Sequence, residues 1–485
     1  MNRTMRFTTT IRPLISALLA AAVLSGCALA PTYERPATPQ PAAFKELQDS
    51  ASAGWAPAAP ADALDRGPWW TLFNDPVLDG LARQVEVSNQ NVAAAVAAYS
   101  QARALVAQQR AALFPTVTLT GGANRNGNGG GNDNNNGRTS NSFRLNIGSS
   151  WEPDVWGRLR AGISAAQANA QASAADLASA RLSAQGELAA DYFSLRSVDA
   201  QRALLATTIE GYQRVLKITQ NRFDVGIVPH SDVYQAQTQL ASAQSDDLTL
   251  ARQRAQLEHA IAVLVGKAPA DFALAPAPWT VTVPDVPVGV PSTLLERRPD
   301  IAASERAVAA ANAQIGLVRA AYFPQIGLTA SYGPSASAIG DLFKASSMAW
   351  ALGLSATETI FNGGANRAAV QGADAAREQA VARYRQTVLD AFADVEDQLN
   401  ATRVLAQQQE LQRQASAAAD KVEEQVLNRY KAGQVSYSEV VQAQVTALNA
   451  RRALVQTQGN RQTTAVALIQ SLGGGWHADQ LTAQE

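Results

Sequence analysis

The residues able to do chemistry are few. The chain has three histidines, His230, His259 and His477, and a single cysteine, Cys27. None of the histidines sits beside a nucleophile motif. One cysteine with three scattered histidines supplies neither a zinc-ligand cluster nor a disulfide framework. The nearest thing to a carboxylate pair for acid–base work is Glu152 and Asp154 in Trp151-Glu152-Pro153-Asp154, and a turn ending a strand accounts for the same residues. No enzyme, no cofactor and no metal site is expected.

Cys27 carries a different chemistry. Arg3, Arg6 and Arg12 form a basic start, an apolar stretch runs over about 14–24, and Leu24-Ser25-Gly26-Cys27 follows. This reads as a bacterial export signal over 1–26, its apolar stretch too short to span a bilayer as a stop-transfer helix. The ending resembles a lipobox, which makes Cys27 the acylated first residue of the mature chain. Acyl chains contribute about 0.8 kcal/mol per buried methylene, so several anchor firmly. Ala28 follows, where an aspartate would resemble inner-membrane retention, so outer-membrane sorting is expected.

Composition narrows what the rest of the chain does. The 485 residues carry 40 Lys+Arg against 41 Asp+Glu, a net charge of -1 that argues against an electrostatic nucleic-acid binder. Hydrophobic residues make up 47%, yet mean hydropathy is -0.12. The reconciling residue is alanine, the best helix former, with aromatics at only 6%. Long, alanine-packed helices with much polar surface are expected. No run of eighteen apolar residues follows the first thirty, so no transmembrane helix bundle is read.

These helices are laid out twice. Asn221-Arg222-Phe223-Asp224-Val225-Gly226 through Gln237 matches Asn428-Arg429-Tyr430-Lys431-Ala432-Gly433 through Gln444 without a gap, 207 positions on. Leu113-Phe114-Pro115 likewise matches Tyr322-Phe323-Pro324. A period this long means a duplicated half rather than a solenoid. Each half reads as a helix (76–112; 299–321), two strands, a very long helix (158–225; 367–432), a glycine turn and a last helix (230–265; 437–472). The last helices show heptad spacing, Ala236, Ala243, Leu250, Leu257 and Leu264, then Val440, Ala447, Leu454 and Leu468. A solvated coiled coil and the wall of a hollow helical cylinder both fit.

The strands alternate: Phe143, Leu145, Ile147 against Arg144, Asn146, Gly148, and Trp350, Leu352, Leu354 against Ala351, Gly353, Ser355. Val117 and Leu119, and Ile326, Leu328 and Tyr332, repeat the pattern. A half-buried soluble sheet and a membrane strand with a wet lumen give the same alternation; the export signal tilts it to the membrane. The Gly- and Asn-rich stretch 121–142 reads as a flexible loop. Four strands cannot close a barrel, so membrane-spanning strands here require oligomerisation, and three copies supply twelve.

Several motifs now carry a family resemblance: Trp69-Trp70 with Phe73-Asn74-Asp75-Pro76; Glu296-Arg297-Arg298-Pro299-Asp300-Ile301; Trp156-Gly157-Arg158; Phe361-Asn362-Gly363-Gly364; and the paired Asn-Arg-aromatic-x-x-Gly turns. In this order, and duplicated, they resemble the TolC-like outer-membrane factors, in their NodT-type lipoprotein subgroup. The resemblance implies a mainly α fold with a membrane β part. The duplicated protomer gives four strands to a trimeric twelve-stranded outer-membrane β-barrel, continuous with a periplasmic α-helical barrel. It implies a passive efflux duct for drugs or other small molecules, fed by a periplasmic adaptor (membrane fusion protein) and an inner-membrane RND-type pump, with outer-membrane lipid around it. Val225, Gly226, Ile227, Ala432, Gly433 and Gln434 would then form the periplasmic tip that docks the adaptor. Asp232, Gln235, Arg429, Tyr430, Glu439 and Gln442 are the aperture candidates. The family often has an acidic residue where Gln235 and Gln442 stand, and Asp232 or Glu439 would substitute for it.

The expected division is a signal peptide (1–26), a lipidated Pro/Ala-rich equatorial segment (27–68), a first repeat (69–266), a Pro-rich equatorial linker (267–292), a second repeat (293–473) and a tail (474–485). Two other readings stay open, the exit duct of a type I protein secretion system and a non-porous coiled-coil lipoprotein.

Overall fold

The computed structural model describes residues 29–38, 41, 43–48, 68–127, 139–279, 281–284, 286 and 297–474. The export signal, Cys27, Glu296 and the tail beyond residue 474 lie outside them. Among the described residues seven long helices follow in chain order: α1 (Pro76–Ser88), α2 (Gln90–Ala111), α3 (Arg158–Asp224), α4 (His230–Leu264), α5 (Pro299–Arg319), α6 (Ala365–Lys431) and α7 (Tyr437–Ser471). Four strands join them: β1 (Thr116–Gly127), β2 (Thr139–Trp151), β3 (Gln325–Ala336) and β4 (Met348–Thr357). At about 1.5 Å per residue, the 67-residue helices α3 and α6 are each about 100 Å long. No helix among the described residues is long and apolar enough to cross a membrane.

Two compact units divide the chain. One comprises the described residues within Met1–Ala37, Tyr99–Ser173 and Ser304–Tyr384; the other comprises those within Thr38–Ala98, Ala174–Ala303 and Arg385–Glu485. The first holds the sheet, antiparallel throughout, in the order β1-β2-β3-β4. Direct partners across antiparallel strands share a face. Leu119, Ile147, Tyr332 and Trp350 form one row across the sheet, and Val117, Ser149, Ala330 and Leu352 another. The rows between them, Thr118, Gly148, Ser331, Ala351 and Thr116, Ser150, Thr329, Gly353, are small or polar and lie on the opposite face. The apolar face stands open, with Trp350, Leu352 and Leu354 each more than 70% exposed.

Below the sheet, the strands are tied to the helices by tryptophans. Trp151 Nε1 donates to the Leu113 carbonyl at 2.9 Å, Trp156 Nε1 to the Pro324 carbonyl at 2.7 Å, and the Trp156 ring stacks on Phe323. Glu152 and Asp154 have structural work: Glu152 pairs with Arg158 at 2.7 Å, and Asp154 accepts from the Leu159 and Arg160 amides, capping α3. In the same unit the N-terminal segment lies along α5. Asn312 Nδ2 donates to the Pro31 carbonyl at 2.7 Å, and the Tyr33 hydroxyl donates to the buried Glu305.

The second unit holds two helical hairpins, made by α3 from Ala174 onward with α4 and by α6 from Arg385 onward with α7. Their seams are apolar as the heptads require: Ala236, Ala243, Leu250 and Leu264 of α4 are buried, as are Val440, Ala447 and Leu468 of α7. One cluster gathers Val198, Leu205 and Tyr212 of α3 with Ala243 and Leu250 of α4 and Leu448 of α7. The Trp69-Trp70…Phe73 turn is buried against α3, where Phe73 meets Phe193 at 4.8 Å and Tyr192 donates to the Asp75 that caps α1. The linker after α4 is clamped by a buried ion network. Arg254 contacts Asp199 at 2.7 Å and Glu258 at 3.1 Å and reaches the Leu274 carbonyl, while Arg196 donates to the Ala275 carbonyl.

Two expectations change. The helix read over 76–112 is two helices, broken at an extended Asn89. Its Oδ1 accepts from the Asn91 and Val92 amides, and its Nδ2 donates to the Leu264 carbonyl at the end of α4. The loop read over 121–142 is shorter. β1 runs to Gly127 and β2 starts at Thr139, because the ladder pairs Ala123 with Phe143 and Gly127 with Thr139 despite the glycines and asparagines.

Candidate gate at the helical tip

Both hairpins turn at the same local geometry. α3 ends with Gly226 at φ 75° and α6 with Gly433 at φ 75°, the left-handed conformation that glycine adopts without a Cβ penalty. The Gly226 amide donates to the Phe223 carbonyl and the Ile227 amide to the Arg222 carbonyl. The Gly433 and Gln434 amides repeat this toward Tyr430 and Arg429. Orphan carbonyls at the helix ends are thereby satisfied and the chain reverses within a few residues. α7 then starts with a capping box in which Glu439 reaches back to Ser436, while α4 starts after Pro229. Val225 and Ile227 are left exposed at the turn.

Just above the turns the two repeats diverge. Tyr430 and Tyr437 are buried together, rings 5.4 Å apart, with Val215, Ala236 and Val440. Arg222 of α3 places its guanidinium 4.6 Å from the Tyr430 ring centre and donates to the Tyr430 carbonyl at 2.8 Å. Thr219 lies 3.4 Å from the Tyr430 hydroxyl. The first hairpin is thus fastened to the second through one aromatic residue, by cation–π attraction and a charge-assisted hydrogen bond. Burial pushes the Tyr437 hydroxyl pKa upward, with Tyr430, Tyr212 and Asp232 adding to it, so this phenol stays neutral. The corresponding first-repeat pair, Phe223 and His230, packs at 4.6 Å with Tyr234 beyond it, and His230 is exposed.

The sequence-derived aperture residues therefore separate. Tyr430 is at the centre of the buried cluster. Glu439 serves the cap of α7 and, with Gln442, Ala443 and Thr446, lines a shallow groove of about 310 Å³ against Ala419, Val422 and Val426 of α6. Gln235, Arg429 and Gln442 are exposed, and Asp232 is half-buried on the first turn of α4. The residue that reasoning from sequence missed is Arg222. It stands in the same Asn-Arg-aromatic motif as Arg429, and packing selects the first copy.

The family profile described as outer membrane efflux protein matches residues 81–267 and 290–474. A probable efflux pump outer membrane protein of Pseudomonas putida, TtgC, is 30% identical over 472 residues, covering 96% of each chain. The solved structure of the outer-membrane channel OprN is similar at TM-score 0.85 and 28% identity, over 93% of this chain and 100% of that one. The open-state structure of the MtrE outer membrane channel of Neisseria gonorrhoeae is similar at TM-score 0.81 and 29% identity, over 93% of this chain and 98% of that one. The duplicated chain with its four-stranded sheet and paired long hairpins belongs to the outer membrane efflux protein family.

Proposed function

We propose that this chain is the outer-membrane channel subunit of a tripartite efflux system, passively conducting drugs or other small molecules received from a periplasmic adaptor and an inner-membrane pump. The observation that carries the reading is the sheet. One face is apolar and exposed, the other is threonine, serine and glycine, and both β1 and β4 present unpaired edges among the described residues. Open edges are not tolerated in lipid. Because four antiparallel strands leave β1 and β4 pointing in opposite directions, β4 of one copy pairs antiparallel with β1 of the next. Closure by three copies gives twelve strands, within the range of bacterial barrels. The ten residues of β4 rise about 34 Å, or about 26 Å of height at a tilt of about 40°, close to the apolar band of such barrels.

In this reading the exposed turns at Val225, Gly226, Ile227 and at Ala432, Gly433, Gln434 meet the adaptor. The Arg222–Tyr430 contact holds the two hairpins together in the resting gate. Cys27 is the acylated anchor of a NodT-type lipoprotein, supported by the lipobox-like run before it. The test is reconstitution of the purified protein into planar bilayers. A trimer on chemical cross-linking, with discrete conductance steps that rise when Tyr430→Ala loosens the gate, supports the reading. A protein that inserts but never conducts refutes it.

A further inference from the structure

Two pairs of consecutive charged residues face each other along the hairpins. On α4, Asp246 and Asp247 are neighbours; on α7, Arg451 and Arg452 are neighbours. Each pair divides its work in the same way. Asp247 pairs with Arg202 of α3 at 3.0 Å, inside the first hairpin. Arg451 pairs with Asp420 and Glu423 of α6, both at 2.7 Å, inside the second. The remaining members, Asp246 and Arg452, pair with each other at 2.8 Å and join the first hairpin to the second.

The position of this cross-hairpin pair matters. Arg452 lies one helical turn beyond Leu448, and Asp246 lies between Ala243 and Leu250; those three residues belong to the apolar cluster shared by the two hairpins. The pair therefore borders the α4–α7 seam. It sits fifteen residues along α7 from Tyr437, about 22 Å from the aromatic fastening at the tip. Its side chains are 32% and 48% exposed, so the charges keep much of their hydration and separating them is inexpensive, unlike a fully buried pair.

We propose that Asp246 and Arg452 form a second latch, partway up the hairpins, that holds α7 against α4 in the resting channel and opens when the hairpins part. The inference rests on the channel reading above. A reversible contact suits this position. It is strong enough to bias a two-state hairpin equilibrium when three protomers act together, and weak enough to release without leaving a buried unpaired charge.

The test uses the full-length protein in planar bilayers without adaptor, comparing wild type with Asp246→Arg, Arg452→Glu and the double charge swap. Each single variant places like charges across the seam. At about a twofold shift per protomer, three protomers give an open fraction about eightfold above wild type. In cells, the same variants should admit a large hydrophilic antibiotic that the resting channel excludes. The double swap restores the attraction and should return both readouts toward wild type, which loss of structure alone would not do. Single variants that gate like wild type overturn the latch while leaving the channel intact, as does a double swap at least as open as the single variants. Absence of conductance in every variant, wild type included, refutes the channel reading and the latch with it.

Discussion

Four glycines with nearly the same backbone conformation offer a quantitative test of how the hairpins are built. Gly226 and Gly266 have φ of 75° and 72°, and their second-repeat counterparts Gly433 and Gly473 have 75° and 91°. Alanine at any of them incurs the left-handed penalty, about 1–2 kcal/mol, offset by up to about 1 kcal/mol from a less flexible unfolded chain. At Gly226 and Gly433 nothing lies within 4 Å of the added Cβ, so the net loss should stay near 1 kcal/mol. At Gly266 the Cβ would stand 2.9 Å from the Ser88 carbonyl carbon, with the oxygen nearer still; at Gly473 it would stand 2.7 Å from that of Arg297. Those carbonyls belong to backbone, and Ser88 is held because Asn89, 4% exposed, caps α2 and bonds Leu264. Relief means giving up that cap and hydrogen bond, about 1–2 kcal/mol more for each. Gly266→Ala and Gly473→Ala should thus cost about 3 kcal/mol or more, at least twice the loss at either tip glycine. Thermal loss of helical circular dichroism in detergent, measured for all four variants, ranks them. Equal losses, or a larger loss at Gly226, would refute the argument that close backbone approach, rather than turn conformation alone, requires glycine at the hairpin bases.

Three further outcomes follow from particular contacts. Arg254→Met leaves the half-buried Glu258 without Arg254 and frees the linker at Leu274, while Asp199 keeps Arg196 at 3.1 Å, and should cost about 2–3 kcal/mol, read as a lower melting temperature and as faster proteolysis within 267–279. Asp191 is half-buried, and burial, helped by Glu187, raises its pKa from 3.8 to about 6. Its folded form takes up a proton before the unfolded chain does, so it adds stability that is full below pH 3.8 and is lost as pH rises through 6. The full separation corresponds to about 3 kcal/mol, of which a half-exposed site keeps about 1 kcal/mol, so Asp191→Asn should flatten the melting profile between pH 4 and 7 by about that much. On the sheet, Leu352→Arg loads the apolar face and should impair outer-membrane insertion by about 2–4 kcal/mol, while Ala351→Arg, on the opposite face, should insert and alter conductance; equal insertion of both would contradict the assignment of faces.

Much of the helical plan was legible in the sequence. α3 ends one residue before its expected end, because the glycine turn at 226 is a local signal, and the heptads of α4 and α7 mark seams that are buried except at Leu257 and Leu454, which are half-buried. The break at Asn89 was not legible. Ser-Asn-Gln-Asn carries no glycine or proline, and Asn89 becomes a cap in concert with a carbonyl 175 residues away. The reach of β1 and β2 was hidden for the opposite reason. Glycine and asparagine read locally as loop, but cross-strand pairing settles the matter. At the tip, duplication itself obscured the contact. Arg222 and Arg429 occupy the same motif, and no property of either sequence says which one will reach Tyr430.

The two repeats agree in what the fold needs and differ beside the tip. At the hairpin bases the two copies use different residues for one job. Asn89 donates to the Leu264 carbonyl, and Arg298, at the matching place before α5, donates to the Ser471 carbonyl at 3.2 Å; Gly266 and Gly473 make room for the approach in each. Asparagine and arginine share little chemistry, so what has been kept is a donor aimed at the last carbonyls of a helix, where the dipole favours it. At the tip the backbone is kept and the job changes. Tyr430 and Tyr437 are buried and engaged by Arg222, whereas Phe223 and His230 pack near the surface. A duplicated chain that preserves its joints and diverges beside its turns keeps one scaffold and carries two different tips. On the channel reading proposed above, the contacts that bear on when the hairpins part are among those joining one repeat to the other, such as Arg222 with Tyr430 and Asp246 with Arg452, since contacts confined to one hairpin move with it.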